Sequence, residues 1–362
     1  MNARGGFVRS CARSAATPSM RLGILIGTAG LVASGMLAPA PARGQSAAAG
    51  QRDSLLRARG LTSQQIARAM AGDPAVTVLR GGDRDEISLV GVVAIAASYE
   101  RVRAALSDVE SWVRLSPGRV GIGGFGTPAS ASDAAQLRLD PQDVDALARC
   151  RPGACQVKLP AASMSQYQAA LGQGGAAASA EVLMREHLAR YVNDYRARGR
   201  AAILDYADGD VPVSAAQVFD SLLGESPFLL EHFPEFLGHL RDFPNAPVPG
   251  DTDVIYWASD RLPPLKPMTI LVHAAYQQIP GRQLALLGEK QLYSSHYFDG
   301  EFTLTSAEPS SGGRTLLVVV RRLHFDKLPS GGPFDIRGRV TRETRDAMQR
   351  ELGARAAALA QP

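Results

Sequence analysis

Between Asp253 and Asp326 apolar positions recur in runs with strand character, interrupted only by short turns. Asp253–Asp260, Met268–Tyr276, Leu284–Phe298 and Arg314–His324 are rich in β-branched and aromatic residues, which predicts strands. Pro280-Gly281, Asp299-Gly300 and Ser310–Gly313 separate them. Asp-Gly between two such runs is a strong hairpin signal, because both central residues of a type I′ turn need positive φ. The pattern predicts an antiparallel meander that the rest of the chain covers.

Upstream, Thr62–Ala71 reads as a short helix with Thr62 as N-cap and Gly72 as its stop. Glu86–Ala96 follows as a strand by its Val and Ile content. Ser98 then caps a helix whose face is Val102, Leu106, Val109 and Val113, ended by Pro117-Gly118. Arg119–Phe125 and Cys155–Leu159 are candidate strands. Residues 161 to about 245 form a mostly helical block, interrupted at Gly172–Gly175 and Pro234, and Asn245–Gly250 links it to the meander. A last helix begins at Thr341. Its stripe of Met348, Leu352, Ala356 and Leu359 is expected to face the sheet, with Arg350 and Arg355 toward water.

The first 44 residues stand apart. Arg4, Arg9, Arg13 and Arg21 precede an apolar, Gly- and Ala-rich run from Leu22 to Leu37, and Ala38–Ala42 supplies small residues. That is the plan of a secretory signal peptide, with a retained anchor as the alternative. The leader changes the charge balance: of 39 basic residues it holds five and no acid, leaving 34 against 35, a net of −1. No basic run suggests nucleic acid. Residues 45–85 read as a polar lead-in with the one short helix.

Cys150 and Cys155 are the two cysteines outside the leader. A single pair in an exported chain reads as a disulfide across the Pro152-Gly153 turn; the alternative, a metal half-site, lacks a second Cys or His pair. Localisation in the periplasm or cell envelope, or secretion, is the expectation, without a stable transmembrane span after cleavage.

The order strand, short helix, further strands, meander and amphipathic last helix resembles the START-like, or Bet v 1-like, helix-grip superfamily, which includes polyketide cyclase-type members. The closest local likeness is Val92–Trp112, with its Ala-Ser turn at Ala97-Ser98 and its Asp108-x-x-x-Trp112 ending. The likeness spans roughly residues 86–125 and 251–360. It implies an α+β fold in which a curved antiparallel sheet wraps a C-terminal helix around a hydrophobic cavity, here with a large helical insertion at about 161–245.

The meander carries polar company that could line such a cavity: Trp257, Lys290, Tyr293, His296 and Tyr297, with Leu352 from the last helix. Alternation puts Met268, Ile270, Val272, Ala274 and Tyr276 on one face and turns His273 away from the core. It also sets Lys290, Leu292, Ser294, His296 and Phe298 opposite Glu289, Gln291, Tyr293, Ser295 and Tyr297. Arg321-Arg322 fits either an acidic head group or an exposed pair. Glu186-His187 lacks a second His for a zinc-protease helix, and His232 and His239 sit among Phe and Leu. No Gly-x-Ser-x-Gly elbow occurs, and Gly121–Gly126 lacks the Lys-Ser/Thr of a phosphate loop. No metal and no cofactor are implied. The expected function is an exported carrier of an apolar or amphipathic, lipid-like small molecule. The alternatives are a cyclase, dehydratase or hydrolase working through the cavity's polar residues, and a non-catalytic envelope scaffold.

Overall fold

Burial on both faces of the meander governs the architecture. In the computed structural model, which describes residues 53–171, 177–248, 250, 252–261, 265–328 and 335–361, ten strands are β1 (Ala75–Val78), β2 (Glu86–Ile95), β3 (Arg119–Gly124), β4 (Asp205–Tyr206), β5 (Val213–Ser214), β6 (Thr252–Asp260), β7 (Met268–Gln278), β8 (Ala285–Ser294), β9 (Phe298–Pro309) and β10 (Thr315–Phe325). Eight form one sheet in the order β1-β2-β10-β9-β8-β7-β6-β3, antiparallel throughout, and β4 and β5 form a small hairpin.

The helices are α1 (Ser63–Ala71), α2 (Tyr99–Ser107), α3 (Val109–Arg114), α4 (Pro141–Leu147), α5 (Ala161–Leu171), α6 (Ala177–Arg198), α7 (Ala215–Gly224), α8 (Pro227–His232), α9 (Pro234–Asp242) and α10 (Ile336–Ala360). Caps set several of these ends. Thr62 and Gln65 form a reciprocal capping box at α1, and Gly72 closes that helix in the left-handed region. Ser98 caps α2, and Asp108 both ends α2 and caps α3. The last helix starts at Ile336 with Asp335 as N-cap, earlier than the Thr341 start expected from sequence. The Thr341 hydroxyl instead donates to the Arg337 carbonyl within the helix. Cys155–Leu159 forms no strand. The leader at 1–44 lies outside the described residues.

The inner face packs against α10, α2 and α3. Ile87, Leu89, Val93 and Ile95 of β2, alternate residues of β6 to β10, and Trp112, Met348, Leu352 and Leu359 make one core there. Gly91 lets α10 approach: a Cβ at that position would lie 2.5 Å from Leu352 Cδ1 and 2.9 Å from Met348 Cε. The outer face packs against the helical block. Ile255, Trp257, Leu271, Leu292 and Tyr293 join α5 and α6 in one cluster, while Val90, Val92, Phe302 and Leu304 join α1, α7 and α9 in another. The fold is therefore α+β and helix-grip-like, with the helical block applied to the side of the sheet opposite the C-terminal helix.

Three further sequence expectations change within the sheet. His273 does turn away from Met268, Ile270 and Val272, but it enters a second core and is fully buried. A bulge in β8 pairs Leu271 with Tyr293 and Val272 with Gln291, so Leu292 and Tyr293 both fall in the outer cluster and the strict alternation is broken. Asp299 and Gly300 are not a turn but the second and third residues of β9. Asp299 is held there by a buried ion pair with Lys158, and Gly300 leaves room for Val218, 2.7 Å from where a Cβ would be.

Candidate functional site

At one end of the sheet the strand ends and the adjoining segments of the helical block enclose a cleft of about 480 Å³. Its walls come from the residues after the disulfide (Gln156, Lys158), the β4–β5 loop (Asp208, Asp210, Val211), the residue Lys266 before β7, the β8–β9 connection (His296, Tyr297) and the chain after β10 (Asp326, Lys327). Cys150 and Cys155 are joined by a disulfide, and the Cys155 amide donates to the Asp208 carbonyl, which ties this loop to the hairpin loop.

The floor is ionic and buried. Lys158 Nζ lies 2.7 Å from Asp299 Oδ1 and 3.6 Å from Asp208 Oδ2, and 4.6 Å above the Tyr206 ring. On its other side Asp299 Oδ2 faces His324 Nδ1 at 3.3 Å. Burial alone would raise the Asp299 carboxyl, but His324 and Lys158 hold it below the usual range. Burial would also lower His324, and Asp299 more than reverses that. Burial raises Asp326 at the rim. His296 Nε2 sits 2.8 Å from Asp143 Oδ2 of α4, both side chains buried. Tyr297 has φ of 63°, a left-handed conformation that a tyrosine adopts at a cost. Its hydroxyl accepts the Lys266 amide at 2.8 Å, and its ring packs on the inner core.

The six residues expected to share one cavity are distributed over three places. His296 and Tyr297 line the cleft. Trp257, Lys290 and Tyr293 lie on the outer face: Trp257 Nε1 donates to the Asp133 carbonyl at 3.0 Å, and Tyr293 is buried in the cluster with α5 and α6. Lys290 Nζ donates to the Leu240 carbonyl at 2.6 Å, capping the C-terminus of α9, where a cation complements the helix dipole. Burial pushes its ammonium down to about 7, against the opposing pull of Asp220 and Asp242. Leu352 alone points from α10 toward the inner face of the sheet, 1% exposed and packed on Gly91.

Next to Leu352 the space between sheet and helix holds charge. Arg321 contacts Glu351 at 2.8 Å and Glu301 at 3.2 Å, Arg355 contacts Glu351 at 2.7 Å, and Arg119 contacts Asp260 at 2.7 Å. Tyr256 donates to Glu289 at 2.8 Å. Arg355 was expected to face water. It is 2% exposed instead, because Glu351 one turn earlier neutralises it and its guanidinium lies 4.3 Å over the Trp112 ring. Arg321 and Arg322 are not an exposed pair: alternation sends Arg321 inward to Glu351 and Arg322 outward to a buried Glu86.

Sequence reasoning missed Lys158, Asp299, His324 and Asp143. Each comes from a different segment, so no local spacing marks them. For Glu351 and Arg355 a signal existed: with Met348, Leu352 and Leu359 they follow the steps of three and four that define one helix face.

No protein-family model matches the chain, and no curated protein matches it. Among solved structures, the crystal structure of the di-domain ARO/CYC BexL from the BE-7585A biosynthetic pathway is similar at 12% identity. The likeness covers 76% of this chain and 99% of that one, with a TM-score of 0.24. With so low a score, the fold assignment rests on this chain's own topology.

Proposed function

We propose that this chain is an exported, START-like protein that binds an amphipathic, lipid-like small molecule at the cleft on the sheet rim. The observation that carries the reading is the cleft. Its volume of about 480 Å³ is that of a small-molecule site, and it presents fixed charges of both signs beside an aromatic ring. Lys266 and Lys327 suit an anionic group, and Asp208, Asp210 and Asp326 a cationic one, so a zwitterionic head fits the whole lining. Tyr297 and the 75%-exposed Val211 offer apolar surface to the body of the molecule. Packing of Leu352 and Met348 on Gly91, with the ionic cluster beside it, favours the rim over the space under α10. The disulfide suits an oxidising compartment and, with the Arg-rich leader, supports export. Nucleic acid and cofactors have no part in this reading.

The test is native mass spectrometry of mature protein purified from its own cell envelope, followed by solvent extraction and titration with a short-chain zwitterionic lysolipid. One molecule per chain is expected, with binding lost in the Tyr297→Ala/Lys266→Ala double variant. A wild type that carries nothing and ignores the lysolipid would overturn the proposal. The buried His296–Asp143 pair in the cleft wall favours a second reading, an enzyme of the cyclase, dehydratase or hydrolase kind, with His296 as acid or base. Conversion of the extracted molecule by wild type but not by His296→Gln would establish that reading.

A further inference from the structure

A second constellation lies on the outer face of the sheet, away from the cleft residues. His239 on α9, Asp253 at the start of β6 and His273 in the middle of β7 converge, with one ligand atom from each within 4.8 Å of the others. Both imidazoles present Nε2 to the same oxygen, Asp253 Oδ1, at 2.9 Å from His239 and 2.8 Å from His273. Their other ring nitrogens are engaged elsewhere. His239 Nδ1 lies 2.8 Å from the Ala246 carbonyl, and His273 Nδ1 lies 2.9 Å from the Tyr195 hydroxyl.

A carbonyl can only accept, so His239 Nδ1 carries the proton. Nε2 of His239 then faces a carboxylate oxygen, an arrangement satisfied either by a second proton on the imidazole or by a metal ion held between the two. Fixing the far nitrogen with a carbonyl or hydroxyl is how proteins orient histidines that ligate metals. The side chains of His239 and His273 are 3% and 0% exposed, whereas that of Asp253 is 26% exposed, so solvent reaches the carboxylate side.

We infer that His239, Asp253 and His273 form a binding site for a divalent transition-metal ion such as Zn²⁺, with two imidazole nitrogens, one carboxylate oxygen and a fourth position open toward solvent. Two nitrogens and one oxygen match the donor preference of zinc and its neighbours, whereas calcium and magnesium prefer oxygen alone. Bonds of about 2.0–2.2 Å in tetrahedral geometry place ligand atoms roughly 3.3 Å apart, so loading opens the present contacts by about half an ångström. Asp253 is placed to take up that shift, being the second residue of β6 and exposed. The ion would tie α9 of the helical block to two strands of the sheet.

The test uses the purified mature protein, stripped with EDTA and dialysed. Zn²⁺ and Co²⁺ are titrated calorimetrically, metal content is measured by inductively coupled plasma mass spectrometry, and the visible spectrum of the Co²⁺ form is recorded. One ion per chain, a four-coordinate Co²⁺ spectrum and a metal-dependent rise in Tm are expected. Asp253→Asn keeps the shape and an acceptor oxygen, so it should stay folded by circular dichroism while binding at least about 100-fold more weakly, since even outer-sphere partners are worth 10–100-fold. His273→Gln should do the same, and the exposed His232→Gln should change nothing. Sub-stoichiometric uptake by the wild type would overturn the proposal, as would unchanged affinity in a folded Asp253→Asn protein.

Discussion

Replacing Gly91 by Ala tests how closely the last helix sits on the sheet. The new methyl would lie 2.5 Å from Leu352 Cδ1 and 2.9 Å from Met348 Cε, where about 3.5–4.0 Å is the comfortable carbon separation. Leu352 and Met348 are each 1% exposed, so neither has free space to swing into, and α10 or β2 must give way. Overpacking of this kind costs roughly 1–3 kcal/mol. Against it stands a gain of about 0.5–1 kcal/mol from removing a glycine from a strand interior. The expected net loss is therefore about 0–2.5 kcal/mol. Leu352→Ala alone should cost about 2–5 kcal/mol, because it empties a packed site. In the double variant the methyl at 91 occupies part of the space vacated at 352. The two costs should then fall short of their sum by about 1–2 kcal/mol. Equilibrium urea unfolding of the wild type, both single variants and the double variant, with m-values compared, measures this coupling. Additivity within about 0.5 kcal/mol, or a Gly91→Ala protein more stable than wild type, would refute the close packing of α10 on β2.

Glu351→Gln should destabilise by about 3–5 kcal/mol, because it leaves the buried Arg355 without its carboxylate and the part-buried Arg321 with Glu301 alone. Burial alone would raise the Glu351 carboxyl, yet Arg321 and Arg355 hold it well below the usual range. Its contribution is thus present above the unfolded carboxylate value of about 4.3 and lost as pH falls below it, so acid unfolding profiles should flatten in the variant. Lys290 has the same sign in a more alkaline window. With its folded value pushed down to about 7, the unfolded chain alone holds the proton from there to about 10.4, so stability should rise with pH across that window by up to about 1.4 kcal/mol per unit. Lys290→Met should remove that rise, as urea midpoints at pH 6 and 9 would reveal. Alkylation without prior reduction should label neither Cys150 nor Cys155, and Cys150→Ala/Cys155→Ala should lower stability by no more than about 2 kcal/mol, the loop being short.

Most of the sheet was legible because its signals are local. Alternation along β7, the Pro280-Gly281 and Ser310–Gly313 turns, and the caps at Thr62, Ser98 and Gly72 each act within a few residues, and the structure follows them. The Asp299-Gly300 turn failed for a non-local reason. Lys158, 141 residues away, claims the aspartate, and Val218 claims the space over the glycine. His273 shows the same limit. Alternation gave its direction, but a strand cannot reveal that a helical block waits on the other side, and that block converts an expected solvent face into a core. The structure buries β7 at every position but its last although its outer face carries Thr269, His273 and Gln277, so polar residues on that face concealed its place in the middle of three layers. The candidate sites were the least legible part. Their residues are separated by tens of positions and meet only through strand register and the docking of the block.

That docking is held by polar ties as much as by apolar area. Lys290 caps α9 from β8, the Tyr191 hydroxyl of α6 donates to the Leu292 carbonyl, and His239 reaches Asp253 and, through it, His273. The rim cleft crosses the same boundary, with Lys158 and Asp208 contributed by the block side and Tyr297, Asp299 and Asp326 by the sheet. Both sites therefore exist only while the block is seated. A ligand that binds the seated form alone stabilises it by RT ln(1 + [L]/Kd), about 2.7 kcal/mol at a hundredfold excess over Kd. Where the block opens from the sheet as one unit, occupancy of either the cleft or the His–Asp–His cluster favours the geometry of the other. The size of that coupling is bounded by the free energy with which the block opens from the sheet. A block that never opens would leave the two sites independent, and one that opens readily would make the metal ion a control on the cleft.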